Sequence, residues 1–160
     1  MDSPVFTHQL IRLVNEKDLE YLRVWKNKYR KYFFFQKKIT PQDQLKWYEG
    51  YLNRNNDYMF AVLAPDGRII GCMGVRLNEE EQYWDIYNVM RGSVSHQGLG
   101  LMSEGLHKMI NFALHKQNIS IQLVVLKGNP AMQWYIKNGF IKINEDGLGV
   151  VMYYDTKKIP

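Results

Sequence analysis

From residue 9 onward the apolar positions recur with two periods, and the switches between them lay out the chain. Gln9-Leu10-Ile11-Arg12-Leu13-Val14 alternates as a strand does, and Asn15-Glu16-Lys17-Asp18 is a turn in which Asp18 is placed to cap a helix. Leu19, Leu22, Trp25, Tyr29 and Tyr32 then fall on one helical stripe, with the basic residues between them facing outward. Phe33-Phe34-Phe35 breaks that period, and its expected place is the core rather than the wall of a cleft. Thr40-Pro41-Gln42-Asp43 starts a second helix: Thr40 caps, Pro41 takes the first helical position and Asp43 complements the positive end. Leu45, Tyr48 and Leu52 are expected to carry its buried face.

After the polar break Asn53 to Asp57, Tyr58 to Leu63 reads as a strand that turns through Pro65-Asp66-Gly67 and pairs with Arg68 to Leu77. An acidic tip, Asn78-Glu79-Glu80-Glu81-Gln82, leads into another strand, Tyr83 to Met90. From Leu101 to Gln117 the period returns to that of a helix, with Met102, Leu106, Met109, Ile110 and Ala113 inward and His107, Lys108, Asn111 and His115 on the opposite, exposed face. Ile119 to Leu126 is a β-branched run suited to a buried strand, and Asn129-Pro130 restarts a helix in the manner of Thr40-Pro41. Gly139 suits the left-handed position that ends this helix, and Phe140 to Asn144 with Val150 to Asp155 makes a closing hairpin.

The chemistry begins between the last two halves of this pattern, at Val94-Ser95-His96-Gln97-Gly98-Leu99-Gly100-Leu101-Met102. Glycines at 98 and 100 let backbone N–H groups approach an anion closely, and the helix that follows presents unpaired N–H groups and a partial positive charge. A dinucleotide fingerprint is excluded. It needs a third glycine where Ser103 stands, and an acidic residue after the next strand, whereas no Asp or Glu lies between Glu104 and Glu145. The Gly-Lys-Ser/Thr of a Walker loop is absent as well.

Length, charge and cysteine content narrow the class. A chain of 160 residues with 46% hydrophobic content supports a single domain spanning 1–160. The single cysteine, Cys72, reads as a small buried hydrophobe, and the four scattered histidines give no metal-ligand cluster. With no leader-like or membrane-spanning stretch, the expected location is soluble and cytoplasmic. The net charge of +5 is uneven, since Arg23, Lys26, Lys28, Arg30, Lys31, Lys37 and Lys38 crowd the first quarter. That pattern suits a polyanionic partner, such as a phosphorylated small molecule, a nucleic acid or an acidic protein, and suits a solvated helix face equally.

The order strand, Gly-x-Gly, helix, strand, Asn-Pro and then Tyr135-Ile136-Lys137-Asn138-Gly139-Phe140 resembles the GNAT superfamily of acyl-CoA-dependent N-acyltransferases. Gly98, Gly100, Ala131, Tyr135, Gly139 and Phe140 match the family's motifs, and the likeness spans roughly the second half of the chain. Two positions depart from it: Ser95 stands where the family has Arg or Gln, so that His96, Gln97 or Arg91 would contribute instead, and Gly128 stands where it has Asn, with Asn129 beside it. The first half carries a fainter resemblance, in Arg23, Trp25, Asn27 and Trp47, to members that acetylate amino groups on nucleotide-linked sugars, and also to members that modify the N-termini of ribosomal proteins.

The resemblance implies an α/β (α+β) fold, a mixed, mostly antiparallel sheet of about six to seven strands flanked by about four helices and splayed at an acetyl-CoA site. It implies acetyl-CoA as co-substrate, with no metal. The pyrophosphate would lie on the amides of Gln97, Gly98, Leu99, Gly100, Leu101 and Met102, with Val89, Met90, Arg91 and Asn129 also at the cofactor and a backbone N–H near Val89 to Arg91 polarising the thioester. Tyr135 would be the general acid, its reference pKa of about 10 lying only about 1.5 units above that of a thiol. Asp85 is a candidate base with Glu81 behind it, and Arg23, Trp25, Asn27 and Trp47 would meet the acceptor. The expected acceptor is a small-molecule primary amine, a sugar nucleotide foremost; a homodimer is left open, and neither nucleic acid nor membrane is an expected partner. Two other functions fit the same residues: acetylation of protein or peptide N-termini, and a non-catalytic RNA-binding module built on the basic aromatic first quarter.

Overall fold

The computed structural model describes residues 9–92 and 100–156. Strands β1 (Ile11–Leu13), β2 (Asp57–Leu63), β3 (Ile69–Asn78), β4 (Tyr83–Arg91), β5 (Ser120–Leu126), β6 (Phe140–Asp146) and β7 (Gly149–Tyr154) form one sheet in the order β1-β2-β3-β4-β5-β7-β6. Neighbours are antiparallel except β4 and β5, which run parallel. Helices α1 (Leu19–Lys28), α2 (Pro41–Leu52), α3 (Leu101–Lys116) and α4 (Met132–Lys137) flank the sheet. This is the mixed, mostly antiparallel α+β architecture expected from the sequence. No described helix is long and apolar enough to cross a membrane.

The two faces of the sheet are sorted by the alternation of strand residues. Phe60 and Val62 of β2 join a core with α3, β5 and β7, while their neighbours Met59, Ala61 and Leu63 join a second core with Leu22, Trp25 and Tyr51 of α1 and α2. Buried on both faces, β2 is apolar at nearly every position. The inward stripe of α3 is as its period predicts, with Met102, Leu106, Met109, Ile110 and Ala113 all buried. His107 departs from its expected exposed face: it is half-buried, with Nε2 3.1 Å from Asn138 Oδ1.

Several local expectations are corrected. Asp18 does not cap α1 through its side chain; it turns back to accept from the Asn15 N–H at 2.8 Å and pairs with Arg12 at 2.7 Å. The helix α1 stops at Lys28, so Tyr29 and Tyr32 leave its stripe. The helix α2 starts as predicted, with a reciprocal cap between Thr40 and Asp43, yet it is rotated: Gln44 and Tyr51 are buried, while Leu45 and Leu52 are 44% and 62% exposed. The Tyr51 hydroxyl accepts the Met59 N–H at 3.0 Å, which fixes that rotation by joining helix to sheet. Asn129-Pro130 forms a turn, in which Asn129 Oδ1 accepts the Ala131 N–H at 2.9 Å, and α4 begins only at Met132. Gly139 does take the left-handed conformation, φ +100°, where a side chain would also meet the Tyr154 ring.

Candidate active site

The parallel pairing of β4 with β5 covers Tyr83↔Ser120 to Ile86↔Leu123 and goes no further. Beyond it the strands part: Val124, Val125 and Leu126 stay paired with β7, and Tyr87 to Arg91 lose their partner on that side. A cleft of about 750 Å³ opens there. Its wall includes Asp85, Val89, Met90 and Arg91 from β4, Asn129 and Tyr135 from the segment after β5, and Trp47 from α2.

A bulge sharpens the break. Gly74 faces Tyr87 and Cys72 faces Met90, so β4 carries one more residue than β3 across this interval, and Asn88 takes φ +50°. Such an insertion takes backbone groups out of the ladder and re-aims the side chains around it. The Cys72 thiol donates to the Asn88 carbonyl at 3.4 Å and is pushed up to about 12 by burial, so it stays protonated at neutral pH.

Tyr135 reaches the cleft from the α3 and α4 side, its ring edge-on to Trp134 and Phe140 at 5.1 and 5.6 Å between centroids. Burial alone raises its pKa well above the ordinary tyrosine range. Asp85 is held by Arg76 across the β3–β4 pair at 3.0 Å, and burial raises its pKa against the opposing pull of that guanidinium. Arg76 in turn lies 4.0 Å over the Tyr87 ring, and the Tyr87 hydroxyl donates to Asp57.

Of the remaining residues singled out from the sequence, Trp47 lines the cleft, whereas Arg23, Trp25 and Asn27 do not. Arg23 pairs with Glu20 and donates to the Ile39 carbonyl. Asn27 clips the same residue from both sides, donating to its carbonyl at 2.9 Å and accepting its N–H at 2.7 Å. Trp25 is buried in the core against Gly92. Glu81 sits on the exposed β3–β4 turn, away from the cleft. Leu101 and Met102 open α3 with buried side chains, behind Gly100 in the left-handed conformation at φ +68°. Among the described residues other than its chain neighbours, no atom lies within 4 Å of where a Gly100 Cβ would stand, at the helix start where the cradle for an anion is expected. Ser95, His96, Gln97, Gly98 and Leu99 lie outside the described residues.

The structure also brings to the cleft residues that the sequence had placed elsewhere or given no site role. Phe33, Phe34 and Phe35 all line the cleft; Phe33 also packs, half-buried, against the α1/α2 core as expected, whereas Phe34 and Phe35 are more than half exposed and leave it. Lys26 also lines it, donating to Asn88 Oδ1 and lying over the Phe33 ring at 3.5 Å. Burial brings the Lys26 ammonium down to about 8, with Arg76 acting in the same direction. Since the unfolded chain binds this proton up to about 10.5, folding stability contributed by Lys26 should rise with pH across that window. A Lys26→Met variant should lack the rise. Unfolding curves of the two proteins at pH 7 and pH 10 should show the wild type gaining on the variant by roughly 2 kcal/mol.

The sequence matches the GNAT acetyltransferase domain family over residues 9–141. Among solved structures, the chain is similar to FdhC, a nucleotide-linked sugar GNAT, at 21% identity over 92% of this chain and 86% of that one, TM-score 0.76. It is similar to the spermidine N-acetyltransferase of Vibrio cholerae in complex with CoA and spermine, at 20% identity over 89% and 92%, TM-score 0.73. It is also similar to an N-acetyltransferase from Staphylococcus aureus Mu50, at 17% identity over 90% and 95%, TM-score 0.74. Among proteins of curated function, none matches the sequence.

Proposed function

Because this chain belongs to the GNAT acetyltransferase family, we propose that it moves an acetyl group from acetyl-CoA to the primary amine of a nucleotide-linked amino sugar, by direct attack. The observation that carries the reading is the opening of the sheet past Ile86 and Leu123, into which Asp85 and Tyr135 both face.

Acetyl-CoA supplies the acyl group already activated as a thioester. The edge of β4 from Tyr87 to Arg91, left without a ladder partner on the β5 side, offers N–H groups where charge develops on the carbonyl oxygen. Gly100, Leu101 and Met102 would support the pyrophosphate through the first turn of α3. Tyr135 keeps its proton until the thiolate leaves, and a thiolate forming in the same desolvated cleft is itself a stronger base than in water. Asp85 accepts the proton of the attacking amine, and its raised pKa makes it a better base than an ordinary carboxylate. Cys72 does not line the cleft and stays protonated, which favours direct attack over an acyl-enzyme.

The choice of acceptor follows from charge. Among the described residues the cleft presents Lys26, Arg76 and Arg91 against one carboxylate, Asp85, which is already paired with Arg76. A polyamine needs unspent carboxylates; a phosphorylated acceptor with an aromatic base suits cations among Phe33, Phe35 and Trp47.

Acetyl-CoA consumption with nucleotide-linked amino sugars, spermidine and peptides bearing free N-termini tests the reading. The expected kcat/KM is on the order of 100-fold higher for the first class. Preference for spermidine or a peptide would overturn the acceptor, and no turnover with any amine would return the protein to the RNA-binding alternative. Asp85→Asn should lower kcat/KM by about 100-fold at neutral pH and remove the fall in rate on the acid side that protonation of Asp85 produces in the wild type. An unchanged acid limb would assign the base elsewhere.

A further inference from the structure

A second cavity, of about 590 Å³, lies between the α1–α2 connection and the end of β4. It shares Lys26, Phe35, Trp47, Asn88 and Met90 with the cleft, so one ligand can occupy both. Lys37, Lys38 and Lys46 complete its cationic lining. The one carboxylate in that lining, Asp43, is spent on the cap of α2, where it accepts the Thr40 N–H at 2.9 Å. Asp43 stays ionised there and interacts electrostatically with Lys46, so Lys26, Lys37, Lys38 and Lys46 face a single carboxylate whose oxygens are already engaged by the cap. Two rigid supports hold the position of this lining: Asn27, which clips Ile39 by both backbone groups, and the stack of Trp47 on Tyr51 at 5.1 Å between centroids.

We propose that this lysine-lined cavity binds the diphosphate of the acceptor, with Phe35 and Trp47 against the rest of the nucleotide, while the amine reaches Asp85 through the shared opening. The proposal rests on the reading of the cleft as an acetyl-transfer site. It assigns the basic first quarter of the chain a specific work: Lys26 stands at the junction, and Lys37, Lys38 and Lys46 meet the charge that a spermidine or a neutral peptide would not bring. Electrostatic capture of a multiply charged anion by several lysines is strong at low salt and weakens as ionic strength rises.

The test is a calorimetric titration of UDP into the protein saturated with CoA, which blocks any diphosphate site belonging to the cofactor. UDP is expected to bind under these conditions. A Lys37→Gln/Lys38→Gln/Lys46→Gln variant should bind it at least about tenfold more weakly and with a flatter salt dependence. Acetyl-CoA affinity should be unchanged in that variant. A Lys17→Gln/Lys108→Gln/Lys142→Gln variant, which loses the same charge from exposed positions elsewhere, should bind UDP as the wild type does. UDP that fails to bind, that is displaced by CoA, or that is indifferent to the first variant overturns the subsite and leaves the acetyltransferase reading standing. Tighter binding of a short single-stranded RNA than of UDP overturns it in favour of a nucleic-acid surface. Failure of acetyl-CoA to bind the wild type is a different result: it overturns the reading of the cleft, and the subsite that rests on it.

Discussion

Tyr135→Phe is expected to lower kcat by about 100-fold or more, with acetyl-CoA affinity and melting temperature nearly unchanged. The substitution removes one oxygen and keeps the ring, so the edge-on contacts with Trp134 and Phe140 survive. Burial is the sole cause of the raised Tyr135 pKa, with no ionic partner contributing, so little electrostatic stability is lost with the hydroxyl. A group that acts only as the C–S bond breaks should depress kcat and kcat/KM together. The defect should shrink with a synthetic acetyl thioester whose thiol is more acidic, since such a leaving group needs less help from a proton. A variant with wild-type kcat would remove Tyr135 as the acid.

Trp25→Ala is expected to cost about 3–5 kcal/mol of folding stability. Trp25 is 6% exposed in the α1/α2 core, and it fills the space beside Gly92 so closely that a Cβ there would come within 1.7 Å of its ring. Gly92→Ala in the intact protein should therefore cost about 1–3 kcal/mol or more, by overpacking. In the Trp25→Ala background the same change should cost far less, because the ring it strikes is gone. Denaturant unfolding of the two single variants and the double variant measures the coupling. If Trp25→Ala instead raised KM for the acceptor with stability intact, Trp25 would return to the substrate site.

These two residues show what a sequence can place and what it cannot. Tyr135 was marked by the family resemblance through Ala131, Tyr135, Gly139 and Phe140, and the structure brings it to the cleft with Gly139 at positive φ closing its helix; its role as acid is what the Tyr135→Phe measurement decides. Trp25 carries no such mark: an aromatic on a basic helix reads the same whether it faces a ligand or a glycine. For α2 two sets of positions share helical spacing, and the leucines chose the wrong one. The buried set runs through Gln44 and Tyr51, whose polar atoms disguise it until the bond from the Met59 N–H to Tyr51 is seen. The bulge at Asn88 and the partners of Lys26 and Arg76 depend on register between strands distant in sequence, which no local pattern encodes.

The short parallel seam has a consequence for how the molecule moves. Four residue pairs join β1–β4 to the unit of β5, β7 and β6. On the α3 side both units share one core, whereas the core under α1 and α2 contains no residue from β5, β6 or β7. The sheet is thus bound along its back by a common core and held along its front more lightly, where the Asn129 side chain donates to the Tyr32 carbonyl at 3.4 Å and the Phe34 ring lies beside Gly149, like a book held by its spine and a clasp. Whatever spans the cleft fastens the two covers. Amide exchange in Val124–Leu126 and Tyr87–Arg91 should slow together when it is filled, while β2, buried on both faces, stays as slow as before.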